Sequence, residues 1–444
     1  MPQTSLMDVT AFIDERRMSF LQWRVFILCA LVNILDGADS QSIGVAGPLI
    51  AHGMHMRMSD FTPAFSAGLL GAAIGALSFG SLADRFGRKQ MLVVATILFA
   101  AFTLLTPVAP DFSFLLVVRF LAGLGLGGAT PCFITLVADY VPKPWRATLT
   151  AVLWAAYPLG ASMGGFLNAY LIPTFGWRSI FHVGGICALV VGILLILLLP
   201  ESLSYLASRA PNAQRAKAII RAIDPAIAVD GITLSKRADG SPASRGAFKS
   251  LFDAGRTPRT LLLWGMFFTA FGSTTIGVLL MPTLFRMSGL PLSVSAMLVG
   301  LFDLVAIASM ACAGRLLSWL GVGVIAAAFI CGAGALVFLG YSCSALPMAV
   351  IGMVLLGLTV PLAGSAAIAL AAIIYPATIR STGVGWAMGM GRLGQVFTPL
   401  WLGMLLGLGW DAKSILIAIT AIPLVGGACG LIWLAIGQRG NIAA

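Results

Sequence analysis

Charge interrupts the apolar pattern of this chain at Gly80-Ser81-Leu82-Ala83-Asp84-Arg85-Phe86-Gly87-Arg88-Lys89, where one acidic and three basic side chains occur within ten residues. Charged side chains are costly in the hydrocarbon core of a bilayer. About 20 apolar residues cross that core as a helix, and the apolar runs at 62–83 and 90–108 have that length. This stretch therefore predicts a short connector at a membrane surface, between two transmembrane helices.

The composition of the whole chain agrees with a membrane protein. Of its 444 residues 59% are hydrophobic and 10% are charged, and the mean hydropathy is +0.98. Soluble domains carry roughly 25% charged residues. A formal net charge of +11 could indicate a nucleic-acid partner, but the basic residues lie in short connectors, so none is expected. The seven cysteines lack metal or disulfide spacing, and we expect neither a metal site nor a cofactor.

The same apolar pattern recurs along the chain and predicts an all-α membrane protein with twelve transmembrane helices. The spans are predicted at residues 24–48, 62–83, 90–108, 113–138, 148–172, 178–199, 260–286, 293–315, 321–341, 345–372, 379–407 and 413–436. Most of the 27 Lys and Arg residues then fall in the connectors on one side, and the other side holds only Arg57, Arg178, Arg286 and Lys413. Because cytoplasmic loops are enriched in Lys and Arg, both termini are predicted to be cytoplasmic.

Residues 200–259 break the hydrophobic pattern with prolines and clustered charge. We interpret them as a cytoplasmic loop between an N-terminal six-helix bundle, residues 1–199, and a C-terminal six-helix bundle, residues 260–444. Within the loop, Ala213–Ile223 has an amphipathic pattern. Two readings stay open for this segment: a short helix on the membrane surface or a solvated linker helix.

The two halves are related by a shift of 234 residues. Under this shift Gly80, Leu82 and Gly87 fall on Gly314, Leu316 and Gly321; Pro142, Arg146 and Thr148 fall on Pro376, Arg380 and Thr382; and Leu159-Gly160 falls on Leu393-Gly394. A constant offset across several loops indicates an internal repeat. Parallel six-helix repeats around an axis along the membrane normal are typical of one large transporter architecture.

These residues resemble the major facilitator superfamily, because the connector Gly80–Lys89 matches the signature of its loop between spans two and three. Within the superfamily the chain is similar to the aromatic acid:proton symporter family. The motifs that carry this resemblance are Asp36-Gly-Ala-Asp39 in the first span, Arg119-Phe-Leu-Ala-Gly-Leu-Gly-Leu-Gly-Gly128-Ala-Thr-Pro131 in the fourth, Tyr157-Pro-Leu-Gly-Ala-Ser-Met-Gly-Gly165 in the fifth, Leu199-Pro-Glu201-Ser-Leu after the sixth, and Arg380-Ser-Thr-Gly-Val-Gly-Trp386-Ala-Met-Gly-Met-Gly-Arg392-Leu-Gly394 in the eleventh. The chain departs from the family at Ser318 and Val322 of the second loop signature, at Leu280-Met281-Pro282, and at Asp303, where a neutral polar residue is expected.

The resemblance implies the major facilitator fold, with two pseudo-symmetric bundles that expose one central site alternately to each side of the membrane. It also implies proton symport of a small organic carboxylate, aromatic in this family, into a bacterium across the inner membrane, by a monomer. An alternative within the superfamily is a proton-coupled exporter of a drug or metabolite. A membrane enzyme is not expected, since a chain with three scattered histidines and no paired cysteines lacks a nucleophile–base set.

Three acidic residues inside predicted spans are candidates for proton coupling: Asp36, Asp39 and Asp303. Asp36 and Asp39 are three residues apart and share one face of a helix. Two close carboxylates repel each other when both are ionised, so one of them is expected to take and release a proton. The alternatives are a helix kink around Gly37 or ion pairs with an internal arginine. Asp303 is either another proton site or the counterion of an arginine.

Two arginines inside the spans, Arg119 and Arg392, are candidates for binding the substrate. A guanidinium holds a carboxylate through two parallel hydrogen bonds and stays charged at any working pH. The alternatives are an internal salt bridge to one of the three aspartates and, for Arg119 near its helix end, snorkelling to the membrane interface. Aromatic side chains could stack on a substrate ring, and the candidates are Tyr157, Trp154, Phe271, Trp386 and Phe397.

A further charged group lies in the predicted cytoplasmic connectors and comprises Asp84, Arg85, Arg88, Asp139 and Arg146. The resemblance implies a gating role for them, in which ion pairs hold the cytoplasmic side shut in one state and break in the other. The alternative is a purely topological role of the positive charges. His52 and His55 on an outer loop lack a third ligand and are read as solvated.

Overall fold

The computed structural model describes residues 5–209, 214–224, 232–235, 251–253, 256–375 and 380–442. The helices of the first half are α1 (Val9–Asp14), α2 (Phe20–Gly53), α3 (Met58–Phe86), α4 (Arg88–Leu105), α5 (Phe112–Tyr140), α6 (Lys143–Phe175) and α7 (Arg178–Leu198). The loop between the halves contains α8 (Leu203–Arg209) and α9 (Gln214–Ile223). The helices of the second half are α10 (Thr257–Thr275), α11 (Met281–Met287), α12 (Leu292–Leu320), α13 (Gly323–Ser342), α14 (Leu346–Ile374), α15 (Arg380–Gly407), α16 (Ala412–Ala418) and α17 (Ala421–Ile442).

Each of the predicted spans coincides with a helical stretch of this structure. Ten stretches of the described residues are long and apolar enough to cross a membrane. The other two spans are α6 and α15, which are 33 and 28 residues long and pack against α2 and α10. Large apolar side chains on the outside, such as Leu197 at 71% exposure, would contact lipid. The fold is therefore the all-α membrane architecture expected from the sequence.

The span predicted at 260–286 is less regular than the sequence suggested. A π-helical turn, Ile276–Leu280, joins α10 to α11. Pro282 follows this turn and has no N–H to donate to the Val278 carbonyl four residues earlier, which is a known cause of irregular helix geometry. Outside the helices, β1 (Ser5–Asp8) and β2 (Ile232–Ser235) form a two-stranded parallel sheet in which Ser5 lies opposite Ile232.

Successive spans alternate in direction, so the bundle has two distinct ends. We call the end where α2 begins and α17 ends the terminal face, and the end where α2 finishes the distal face. The charged connector between α3 and α4 lies at the terminal face. There Gly87 ends α3 with φ 109°, a backbone conformation that glycine adopts without strain.

Glycines bring neighbouring helices into close contact within each bundle. A Cβ atom added to Gly123 of α5 would lie 2.0 Å from the carbonyl oxygen of Gly68 in α3, and one on Gly127 would lie 1.9 Å from the carbonyl oxygen of Ala72. Small residues allow such close backbone contact. This packing stabilises helix association in lipid, where burial of apolar surface contributes little free energy.

The internal repeat predicted from the sequence is visible in these contacts. A Cβ on Gly160 would lie 1.9 Å from the carbonyl oxygen of Ile34, and one on Gly394 would lie 2.0 Å from that of Phe268. Both members of the second pair are shifted by 234 residues from the first. The shifted partner of Gly87, Gly321, likewise ends a helix with positive φ, at 60°. The same helix–helix crossing is thus built twice.

The two bundles meet along α3 with α15 and along α6 with α12. At the first seam Ser66 Oγ donates to the carbonyl oxygen of Val396 at 3.1 Å. At the second, a Cβ on Gly165 would lie 2.8 Å from Gly300 Cα. These four residues lie in the distal halves of their helices. The bundles are therefore joined near the distal face.

The amphipathic helix α9 packs against the first bundle. The side chains of Ala216, Ile220 and Ile223 are buried in one apolar cluster with residues of α2 and α5. An ion pair of 2.9 Å between Arg16 and Asp224 joins the end of α9 to the segment before α2. Protein rather than lipid covers the apolar face of this helix.

Candidate substrate cavity

A cavity lies between the two bundles and encloses about 1550 Å³ of empty space, including the part open to solvent. Its wall is formed by residues of both halves, and most of the predicted proton-coupling and substrate-binding residues meet there. Those that line it are Asp36, Asp39, Arg119, Tyr157, Asp303 and Arg392. A central cavity therefore lies where the sequence placed the site.

Arg119 of α5 and Asp39 of α2 form a buried ion pair. Arg119 Nη2 donates to Asp39 Oδ2 at 2.9 Å, and the two side chains are 4% and 3% exposed. Arg119 Nη1 and Thr103 Oγ1 each approach Asp39 Oδ1 at 3.5 Å. Of the two readings of Arg119, this conformation shows the internal salt bridge.

Asp36 lies one helical turn before Asp39 and also lines the cavity. It is only partly buried, and it interacts electrostatically with Arg392 as well as with Asp39. The predicted common face of Asp36 and Asp39 is thus the face towards the cavity. Asp39 has an arginine in contact, whereas Asp36 has no ion pair among the described residues.

Arg392 of α15 is the cation of the second half that faces the cavity. Its Nη1 donates to Gln395 Oε1 at 3.0 Å, on the next turn of the same helix. Among the described residues no carboxylate oxygen lies within 4.0 Å of its guanidinium nitrogens. The fork of donors that suits a carboxylate therefore borders the cavity without an acidic partner in contact.

Asp303 of α12 is 2% exposed and lines the same cavity. In the part of the chain that the structure describes, its Oδ2 has no hydrogen-bond partner. Within the described ranges no Lys, Arg or His nitrogen lies within 4.0 Å of it. The structure thus gives no support to the counterion reading of this residue.

Aromatic side chains form much of the remaining wall. Tyr157, Trp154 and Phe271 line the cavity as expected, and so do Phe65 and Phe302, which sequence reasoning missed. Phe65 occurs in an apolar run with no feature that separates a cavity residue from a lipid-facing one. The signal that could have found Phe302 is its position next to Asp303.

Two predicted aromatic residues lie elsewhere. Trp386 stacks on Trp264 with ring centroids 6.0 Å apart and is 47% exposed. It lies six positions before Arg392 on α15, which places the two side chains about 120° apart around the helix axis. Phe397 packs against Phe268 and is 46% exposed. The structure does not bring either ring to the cavity, which corrects the sequence-based placement.

Sequence reasoning also missed polar groups of the wall. These are Asn33, Ser40, Thr130, Thr274, Thr275, Ser365 and Gln395. Asn33 precedes Asp36 by three residues, so the helical period could have found it. Its Nδ2 donates to the carbonyl oxygen of Leu153 at 2.6 Å and ties α2 to α6.

The predicted gating residues form a separate network at the terminal face. Arg88 pairs with Asp139 and lies 3.8 Å from Asp84, while Arg146 pairs with Asp14 at 2.9 Å. The carbonyl oxygen of Arg85 accepts from the Tyr205 hydroxyl at 3.3 Å.

Sequence reasoning missed three members of this network. Asp14 binds Arg146, Ser202 Oγ donates to Asp139, and Glu201 Oε1 accepts from the Lys89 backbone N–H at 2.9 Å. Glu201 belongs to the motif after the sixth span, but the sequence did not predict that Glu201 would bind the Lys89 backbone. In the part of the chain that the structure describes, these bonds all stay within the first bundle and its flanking segments.

Comparison with known proteins agrees with this architecture. The family described as the Major Facilitator Superfamily matches residues 29–343. A 4-hydroxybenzoate transporter of Pseudomonas aeruginosa is 34% identical over 421 residues, which cover 94% of each protein. A gallate transporter of Pseudomonas putida is 33% identical over 410 residues, covering 92% of this chain and 91% of that protein. A benzoate transport protein of Acinetobacter baylyi is 30% identical over 419 residues, covering 90% and 87%.

Solved structures share the fold at low sequence identity. A D-xylose–proton symporter superposes with a TM-score of 0.69 at 16% identity, covering 92% of this chain and 97% of that one. A nucleoside transporter gives a TM-score of 0.71 at 11% identity, covering 93% and 99%. The family match and the relatives named as transporters show that the chain is a multi-pass secondary transporter, not an enzyme. The chain belongs to the major facilitator superfamily.

Proposed function

We propose that the chain imports an aromatic carboxylate together with protons, and that Arg392 binds the substrate carboxylate. The observation that carries this proposal is the contrast between the two cavity arginines. Arg119 already has a carboxylate in contact, whereas Arg392 has only an amide oxygen among the described residues. Aromatic rings of the wall supply flat apolar surface for a substrate ring. The relatives named for 4-hydroxybenzoate, gallate and benzoate support the substrate class.

Proton coupling follows from the charges around Asp36. In the empty cavity Arg392 attracts the Asp36 carboxylate. A bound substrate anion takes over that attraction, and Asp36 is left facing two negative groups, the substrate and Asp39. A proton on Asp36 relieves this repulsion. Binding of the anion and binding of a proton therefore favour each other, which is the thermodynamic requirement for symport.

Asp39 and Asp303 take the other two coupling roles in this proposal. Asp39 exchanges between Arg119 and a proton as the bundles move. Asp303 offers another place for a proton, since a buried carboxyl group without a cation in contact is less costly when neutral.

The transport cycle rests on relative movement of the halves, residues 1–199 and 260–444, around the cavity. The Lys and Arg excess in the connectors at the terminal face supports a cytoplasmic location of that face and of both termini. The bundles are joined near the distal face, so this conformation corresponds to a cavity that communicates with the cytoplasm. The bacterial relatives support the inner membrane as the location, and one chain contains a whole cavity, which supports action as a monomer.

The network at the terminal face is assigned to gating. Asp84, Arg85, Arg88, Asp139 and Arg146 lie where the halves would approach each other when the cytoplasmic side closes. In this conformation their ion pairs lie within the first bundle and its flanking segments. We assign contacts between these residues and the second half to the closed state. A change of partner at this position would link closure to the movement of the halves.

The test is uptake of labelled 4-hydroxybenzoate and benzoate into proteoliposomes with an imposed inward proton gradient. Wild type should accumulate at least one of them, and a pH-sensitive dye inside should report proton entry. Arg392→Lys keeps the charge and loses the paired donors. Charge-assisted hydrogen bonds contribute about 1.5–3 kcal/mol each, so loss of one should raise KM about 10- to 150-fold.

The matched control is Arg178→Lys, at the distal face and outside the cavity wall, which should leave KM unchanged. An unchanged KM in Arg392→Lys would remove the assignment of the carboxylate anchor. Absence of accumulation, with proton-driven loss of preloaded substrate instead, would support the exporter alternative.

A further inference from the structure

The buried carboxyl group of Asp303 has no role in the binding of the substrate carboxylate, yet it lines the same cavity. Burial without a partner is unusual, because polar side-chain atoms removed from water nearly always have a hydrogen bond. Asp303 Oδ2 has none, and the residue is 2% exposed. A group of this kind is stabilised by a ligand that brings a hydrogen-bond donor into the cavity.

The position of Asp303 relative to Arg392 suggests what that ligand is. Arg392 belongs to α15, which meets the first bundle through α3, and Asp303 belongs to α12, which meets it through α6. The two residues therefore come from the two different seams that border the cavity. Tyr157 of α6 lines the same cavity as Arg392 and Asp303, so a substrate ring in this cavity has all three side chains on its wall.

Because Arg392 and Asp303 come from different seams, a ring in the cavity whose carboxylate is bound by Arg392 can present another edge to Asp303. We propose that Asp303 Oδ2 accepts a hydrogen bond from a hydroxyl group on the substrate ring, placed away from the carboxylate. This inference rests on the proposed function and narrows its substrate class to hydroxylated aromatic acids. The assignment holds for either protonation state of Asp303, because a protonated carboxyl group keeps acceptor capacity.

Desolvation makes such a contact selective. A site built to bind a substrate hydroxyl group discriminates strongly against the analogue that lacks it, since its own polar atom is then left unpaired. In the described structure no protein group competes for Asp303 Oδ2.

The experiment measures competition against uptake of labelled 4-hydroxybenzoate by the full chain in proteoliposomes. The competitors are benzoate, 4-methoxybenzoate, 3-hydroxybenzoate and 2-hydroxybenzoate. Wild type should bind 3- and 4-hydroxybenzoate at least about tenfold more tightly than benzoate and 4-methoxybenzoate. The 2-hydroxy isomer should behave like benzoate, because its hydroxyl group bonds to its own carboxylate.

Two variants locate the effect. Asp303→Leu should abolish the preference by weakening binding of the hydroxylated acids relative to benzoate. Because Asp303 is also assigned a proton, this ratio is measured as equilibrium binding in detergent. Asp303→Asn, whose amide oxygen still accepts a hydrogen bond, should keep part of the preference. The control is Met310→Leu, two helical turns further along α12 on the same wall, which should keep the wild-type ratio.

The proposal is overturned if Asp303→Leu retains the wild-type ratio, or if wild type binds the hydroxy and methoxy acids equally. The second result needs no variant and holds even if Asp303→Leu fails to fold. Absence of uptake of every ring carboxylate by wild type would be a different result, since it would refute the proposed function itself.

Discussion

Asp39→Asn would leave the Arg119 guanidinium buried without its counterion. The two side chains are 4% and 3% exposed, so water cannot replace the lost carboxylate, and the contact at 2.9 Å loses its ionic character. Removing one member of a buried ion pair typically destabilises a protein by about 3–5 kcal/mol. Arg119→Gln should destabilise it to a similar degree. The double variant leaves no uncompensated charge and should recover most of the loss.

The assay is the apparent melting temperature of the purified protein in detergent for the wild type, both single variants and the double variant. The control is Asp60→Asn, which breaks the ion pair with Arg57 on the distal face, where the side chains are 46% and 80% exposed. Exposed pairs contribute little, so this variant should melt like wild type. If the double variant melts no higher than the less stable of the two single variants, the argument from uncompensated charge is refuted. A stable double variant should also fail to accumulate substrate against its gradient, and accumulation would exclude the pair from coupling.

Three further predictions concern packing, the cavity wall and the gate. Gly160→Ala should reduce thermal stability and yield, because the added Cβ would lie 1.9 Å from a backbone oxygen of α2. The control is Gly385→Ala, whose added Cβ has no atom of another described element within 4 Å and which should melt like wild type. Equal melting temperatures of the two variants would refute the close contact at Gly160. Phe271→Ala should raise KM for aromatic acids several-fold in an uptake assay, because it removes a ring from the cavity wall. Phe397→Ala should leave KM unchanged, and equal effects of the two variants would contradict the placement of the two rings. Arg88→Gln should reduce the rate of uptake more than equilibrium substrate binding in detergent, and an equal loss of both would argue against gating.

Much of the architecture was readable from the sequence because it follows from local chemistry. The spans follow from the high energy of unpaired polar groups in lipid, and the connector at Gly80–Lys89 follows from its charges. The 234-residue repeat predicted two equivalent halves, and the crossings at Gly160 and Gly394 match it closely. Asp36 and Asp39 were placed on one face by the helical period alone, and that face is the cavity wall.

Pairing and orientation across helices were decided only by the tertiary structure. The sequence offered Arg119 three carboxylate partners, and the structure selects Asp39. It offered Trp386 as a cavity ring, yet the rotation of α15 that points Arg392 inwards turns Trp386 towards Trp264. It left Asp303 between two roles, and only the packing around α12 shows a carboxyl oxygen with no partner. Composition and period determine which segments cross the membrane, whereas the rotation and spacing of those helices depend on contacts between residues far apart in the chain.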